Sequence, residues 1–164
     1  MKSKRMAWIA MLVALTSIGG AIKVPAIIGS VALDSFPALL ASVLIGGIAG
    51  GIVGSAGHLL SALLGGMPLG PLHGLIAVEM FFLAYLFGLF YRNGKKWLAG
   101  VLFVFGNTLI APLPFIFFMS KAFYLSLIPS LFIGSFLNML IAFVVIPRLV
   151  KVMESISFKE RPSQ

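Results

Sequence analysis

With 164 residues, 60% of them hydrophobic and only 10% charged, the chain departs from water-soluble domains, where about a quarter of residues are charged. A mean hydropathy of +1.13 indicates a membrane protein, and at about 20 apolar residues per crossing the length admits roughly six crossings and no separate soluble domain. The formal charge of +8 does not indicate nucleic acid, because the basic residues lie between apolar runs rather than on one groove-binding helix, and the absence of cysteine excludes disulfides, thiolate catalysis and Cys-ligated metal.

The predicted elements are helical, an all-α integral membrane protein in a single domain. Lys2, Lys4 and Arg5 precede an apolar run that predicts span one over 6–20. That start has the outline of a signal peptide, but no clear small-x-small site follows it and the rest of the chain is itself apolar enough to be membrane-embedded, so a retained first span is expected. The connection to Asp34 is long and carries Lys23, Pro25 and a Gly29-Ser30 turn among alternating apolar residues, which predicts a small hairpin or re-entrant lid.

Spans two and three are predicted over 35–53 and 54–64, with a glycine-rich join between them. Gly46, Gly50 and Gly54 repeat every four residues, with Gly47 and Gly51 alongside, leaving a bare face on which helices approach closely. Internal packing is the favoured use of that face over a subunit contact. The glycines and prolines of 65–71 oppose helix and predict a loop. Span four follows over 72–90, and Arg92, Asn93, Gly94, Lys95 and Lys96 form a polar turn. Span five over 97–118 is interrupted by Pro112 and Pro114, and span six covers 124–150 before a polar tail.

Six spans put both termini on one side. Ten of the twelve Lys and Arg residues then share that side: three before span one, three between spans four and five, and four from Arg148 onward. Basic residues are retained in the cytoplasm, so both termini are expected there and the long first loop outside. An odd number of spans would expel either the first or the last basic cluster.

Polar groups within apolar runs need a reason. A carboxylate at mid-bilayer costs about 2.5 to 3.5 kcal/mol on insertion scales, so Glu79 in span four demands a partner or a cavity. His58 shares a helical face with Ser55 and Ser61, His73 opens span four, and Asn107 and Asn138 add amides in spans five and six. Under the predicted topology Asp34, His58, Ser61, Met67 and His73 fall toward the outer half, where they would line one pocket together with Glu79 and Asn107. The competing explanation is interhelical glue, with Glu79 paired to His58 or His73 and the asparagines bonded across helices.

No catalytic residue, cofactor or metal site is expected. His58 and His73 stand fifteen residues apart without metal-ligand spacing, and no G-x-S-x-G elbow occurs. Gly94-Lys95 lacks both the upstream glycine and the following Ser or Thr of a phosphate loop, so any energy from ATP must come from a partner.

Six short spans, a long first outer loop and Ala10-x-x-x-Ala14 in span one resemble the substrate-binding S component of energy-coupling factor transporters. The stretches Ser30-Val-Ala-Leu-Asp-Ser-Phe-Pro-Ala-Leu39 and Gly57-His-Leu-Leu-Ser-Ala-Leu-Leu-Gly-Gly-Met-Pro-Leu-Gly-Pro-Leu-His73 resemble the alpha-ribazole transporters of Gram-positive bacteria. The resemblance implies a multi-pass protein of the bacterial cell membrane that captures a vitamin-like molecule outside. It also implies partnership with a transmembrane coupling subunit and two ATPase subunits, docking through Ala10 and Ala14, and a first loop that caps the substrate. Riboflavin and pantothenate remain alternatives to alpha-ribazole. From other classes, a non-transporting membrane scaffold and an intramembrane enzyme using Glu79 with a histidine are also weighed.

Overall fold

A computed structural model describes residues 2–25 and 30–159, and within these the side chains of 2, 23–25, 30–31 and 152–159 lie outside that description. Helix α1 (Lys2–Ala21) leads into a hairpin of β1 (Lys23–Pro25) and β2 (Ser30–Ala32). The strands are antiparallel, with Lys23 opposite Ala32 and Pro25 opposite Ser30. This is the hairpin expected from the alternating apolar residues, although most of its turn, Gly29 included, falls outside the described residues.

Next come α2 (Phe36–Leu44), α3 (Gly47–Leu64) and α4 (Leu72–Arg92). The join between α2 and α3 lies at Ile45 and Gly46, where the sequence pattern had put it between Val53 and Gly54. Gly46 has φ of 131°, which only glycine adopts readily, so the reversal is fixed there. Gly50 and Gly54 instead remain inside α3 and serve close packing. A Cβ on Gly50 would strike Ser42, and one on Gly54 would meet Met80 O at 3.1 Å and the Ala38 side chain at 3.4 Å. On the neighbouring stripe, Gly51 faces Phe81 and Gly47 faces Tyr85. The glycine ladder is thus filled within the chain, by α2 on one side and α4 on the other.

Past the turn at Gly94, α5 (Lys96–Phe105) continues into a π-helical turn (Gly106–Ile110), where Ala111 N–H reaches Gly106 O at 2.8 Å. Pro112 and Pro114 end the regular helix, the short α6 (Phe115–Phe118) follows, and α7 (Lys121–Lys159) completes the described chain with Pro129 and Pro147 inside it.

The contacts fix helix direction. Gly57 packs on Thr16 and Gly20 on Ser61, so α1 and α3 run parallel. α2 and α4 run against α3. α5 returns against α4, and α7 runs against α5, since Asn107 bonds Ser135 near one end of that contact and Trp97 packs on Phe143 near the other. One end of the bundle therefore carries Lys4, Arg5, Arg92, Lys95, Lys96 and Arg148. The opposite end gathers the hairpin, the 65–71 loop and the prolines of the α5–α6 junction.

Among the described residues, four helical stretches are long and apolar enough to cross a membrane: Gly47–Leu64, Leu72–Arg92, Lys96–Phe118 and Lys121–Lys151. α2 has only nine residues. Phe87, Phe103, Leu39 and Ile146 fill the core, whereas Phe117 is 88% exposed and Trp97 77% exposed. An apolar exterior around a packed interior suits lipid.

Candidate functional site

A cavity of about 500 Å³ opens at the end of the bundle away from the basic cluster. That volume lies within the roughly 300–1,000 Å³ typical of small-molecule sites. Its walls come from distant parts of the sequence. Asp34 and Ser35 enter from the junction of hairpin and α2, His58 from α3, His73 from the start of α4, and Asn107 from the π-helical turn. The π-helical turn sits beside the site, where an extra residue per turn re-aims side chains.

Asn138 of α7 holds this end together. Its Oδ1 accepts the N–H groups of Ser35 at 3.0 Å and Phe36 at 2.9 Å, two donors that the first turn of α2 leaves without helical partners. Its Nδ2 donates to Ala32 O at 3.0 Å and to Gly134 O at 2.9 Å. One side chain, 1% exposed, thereby ties strand, helix and bundle. Leu33 N–H, bonded to Gly19 O at 3.1 Å, anchors the same segment to α1.

The two histidines meet directly. His58 Nε2 lies 3.1 Å from His73 Nδ1, the ring centroids are 5.3 Å apart, and Leu69 N–H donates to His73 Nε2 at 3.4 Å. The ring of His73 therefore connects the 65–71 loop to α3. Opposite, Asn107 Nδ2 donates to Ser135 Oγ at 2.7 Å. Ser35 Oγ donates to Asp34 Oδ1 at 3.0 Å. Burial raises the Asp34 carboxyl above its ordinary range, and the Ser35 hydroxyl opposes that rise in part.

Of the residues singled out in the sequence, Asp34, His58, His73 and Asn107 line this cavity, while Ser61, Met67 and Glu79 are not part of its lining. Ser61 faces Gly20 of α1. Met67 sits in the left-handed region, φ 49°, with its N–H on Ala62 O at 2.8 Å, so its backbone closes the end of α3. The pairing of Glu79 with a histidine is not found: among the described residues Glu79 Oε2 is buried without a hydrogen-bond partner, as is Thr108 Oγ1. Ser35, Ser130, Ser135 and Asn138 also line the cavity. A signal existed for Ser135 and Asn138, which stand three residues apart and so share a face of α7. Leu69, Ile76, Met80, Leu127 and Leu131 complete an aliphatic slot. Among the described residues no group of three or more potential metal ligands occurs.

These features define a helical, multi-pass membrane protein with a solute-sized cavity, part polar and part aliphatic, at one end. The chain belongs to the family of ECF transporter substrate-specific components, which matches residues 4–153. It is a transporter family and not an enzyme family, and its members bind small-molecule substrates and work with an energy-coupling module. No curated protein and no solved structure matches the chain.

Proposed function

We propose that this substrate-binding component captures alpha-ribazole on the extracellular face of a bacterial cell membrane and hands it to a module of one coupling subunit and two ATPases. The observation that carries the reading is the convergence of Asp34, His58, His73 and Asn107 on one cavity beside an aliphatic slot. Alpha-ribazole is a neutral nucleoside whose fused ring suits Leu127, Leu131 and Met80, and whose ribose hydroxyls need an acceptor such as Asp34. Six crossings with both termini in the cytoplasm accord with the clustering of basic residues at the opposite end of the bundle. In this arrangement α2 traverses as a short helix whose lipid-depth termini are covered by protein, which irregular backbone requires.

Docking to the coupling subunit is assigned to Ala10 and Ala14. Both are exposed on α1, flanked by exposed Met6, Met11 and Ile18, and together they form a small-residue face suited to close helix contact. Isothermal titration of the purified protein with alpha-ribazole tests the assignment. Saturable binding is expected, weakened at least tenfold by Asp34→Ala, about 1.4 kcal/mol. A flat titration against alpha-ribazole, riboflavin and pantothenate alike would end it.

A further inference from the structure

We infer that, if this cavity is the solute site just proposed, it admits solutes that carry no negative charge and that offer a hydrogen-bond acceptor to His58 and a donor to Asp34, and that it turns away carboxylates and phosphates. The first part follows from the direction of one hydrogen-bond chain. Leu69 N–H can only donate, so His73 Nε2, at 3.4 Å, holds a lone pair. A neutral His73 then carries its proton on Nδ1 and donates it to His58 Nε2, 3.1 Å away. His58 Nε2 accepts, which leaves the His58 proton on Nδ1. Every bond in the series runs the same way, from the loop amide through His73 to His58, and the chain ends in a donor. Two N–H groups facing each other across 3.1 Å would repel, so the order cannot be reversed at one ring alone.

The rest of the wall fixes the complementary demand. Asn138 has spent both lone pairs and both N–H groups on the backbone of Ala32, Ser35, Phe36 and Gly134, and offers a ligand nothing. Asn107 gives one N–H to Ser135 and retains its carbonyl oxygen as an acceptor. Asp34 takes only the Ser35 hydroxyl among described side chains. Among the described residues no Lys or Arg lines the cavity. An anionic solute would therefore face the Asp34 carboxyl with no cation among the described lining residues to offset it, and its own charge would be buried and unpaired there. A neutral solute with one acceptor edge and one hydroxyl or N–H satisfies both walls.

Matched neutral and anionic pairs test this in the full-length protein in nanodiscs: alpha-ribazole with its 5′-phosphate, riboflavin with its 5′-phosphate, and pantothenol with pantothenate. For whichever pair binds, the neutral member is expected to be tighter by roughly a hundredfold or more, the scale of leaving one charge buried without a partner. Asp34→Asn should narrow that difference without abolishing it, because the anion's own charge still lacks a partner. An anionic member binding as well as its neutral partner overturns the inference and leaves the solute-site reading intact, whereas no binding by any of the six removes both. Nitrogen-15 spectra of the imidazoles give a second readout, independent of ligand. Both histidines should be Nδ1–H tautomers, and an Nε2–H proton on His58 would overturn the donor assignment.

Discussion

Asn138 accepts the backbone N–H of Ser35 at 3.0 Å across a separation of 103 residues. The same amide takes Phe36 N–H and donates to Ala32 O, so a single side chain of α7 caps α2 and secures the last strand of the hairpin. Replacing it leaves at least two buried donors unpaired, each at about 1–3 kcal/mol. Asn138→Leu should cost about 3 kcal/mol or more, seen as a lower melting temperature in detergent, and should speed amide exchange over 30–36 ahead of the rest of the bundle. Uniform exchange with an unchanged melting temperature would contradict this role.

Asp34 makes a prediction about pH. Its folded-state carboxyl titrates above the ordinary 3.8 because burial disfavours the charge. The folded protein therefore holds that proton more tightly than the unfolded chain does. The contribution is fully present below the unfolded value and is lost as pH rises through the folded one. Asp34→Asn should accordingly make the ligand-free protein more stable than wild type at pH 7, with the gap closing toward pH 4. Melting curves across that range measure it, and a gap that widens on acidification would refute the sign.

How far these features were legible varies by residue. The hairpin was readable because alternation has one common physical cause, a pleated strand. The α2–α3 join was not, because Gly46, Gly50 and Gly54 look alike in sequence and only φ of 131° marks Gly46 as the reversal. Asp34, His58, His73 and Asn107 could be collected by asking which polar groups lie toward one end of the predicted spans. Glu79, collected by the same rule, is not in the cavity lining: the cost of a buried carboxyl says that something unusual surrounds it without saying whether that is a cavity. Asn138 was visible as an amide at membrane depth, but its work is on backbone 103 residues away, which no local pattern encodes.

The position of Glu79 separates a binding role from a structural one. Ile76 and Met80 line the cavity and Glu79 does not, and its Oε2 finds no partner among the described residues. Removing the carboxyl should relieve an unpaired polar group of the apolar span. Glu79→Met is expected to bind solute within about threefold of wild type and to be more stable by about 2 kcal/mol. A loss of affinity beyond tenfold, with the fold intact, would return Glu79 to the site.

The glycine face gives a paired test with an internal control. A Cβ on Gly88 would lie 2.7 Å from both Ser42 Cβ and Ser42 O, and one on Gly50 would strike the same residue, whereas Gly74 has nothing within 4 Å. Overpacking costs about 1–3 kcal/mol per site, and more where backbone is the obstacle. Gly50→Val and Gly88→Val should therefore yield little monodisperse protein, while Gly74→Val should fold and retain solute binding. Equal behaviour of all three would mean that α2 is not clamped between α3 and α4.

The exposed face of α1 bears on coupling rather than on capture. Ala10 and Ala14 lie one helical turn apart and point away from the core, and neither contributes to the cavity. Their small size matters only if another helix approaches to near backbone contact, where a bulky side chain forces the axes apart. Ala10→Leu combined with Ala14→Leu should thus leave solute affinity within about twofold, because no wall of the site moves. It should abolish copurification with the coupling subunit and ATPases and stop uptake in cells. Loss of solute affinity in the isolated double variant would show that α1 supports the cavity itself, and full uptake by it would move the docking surface to another face of the bundle.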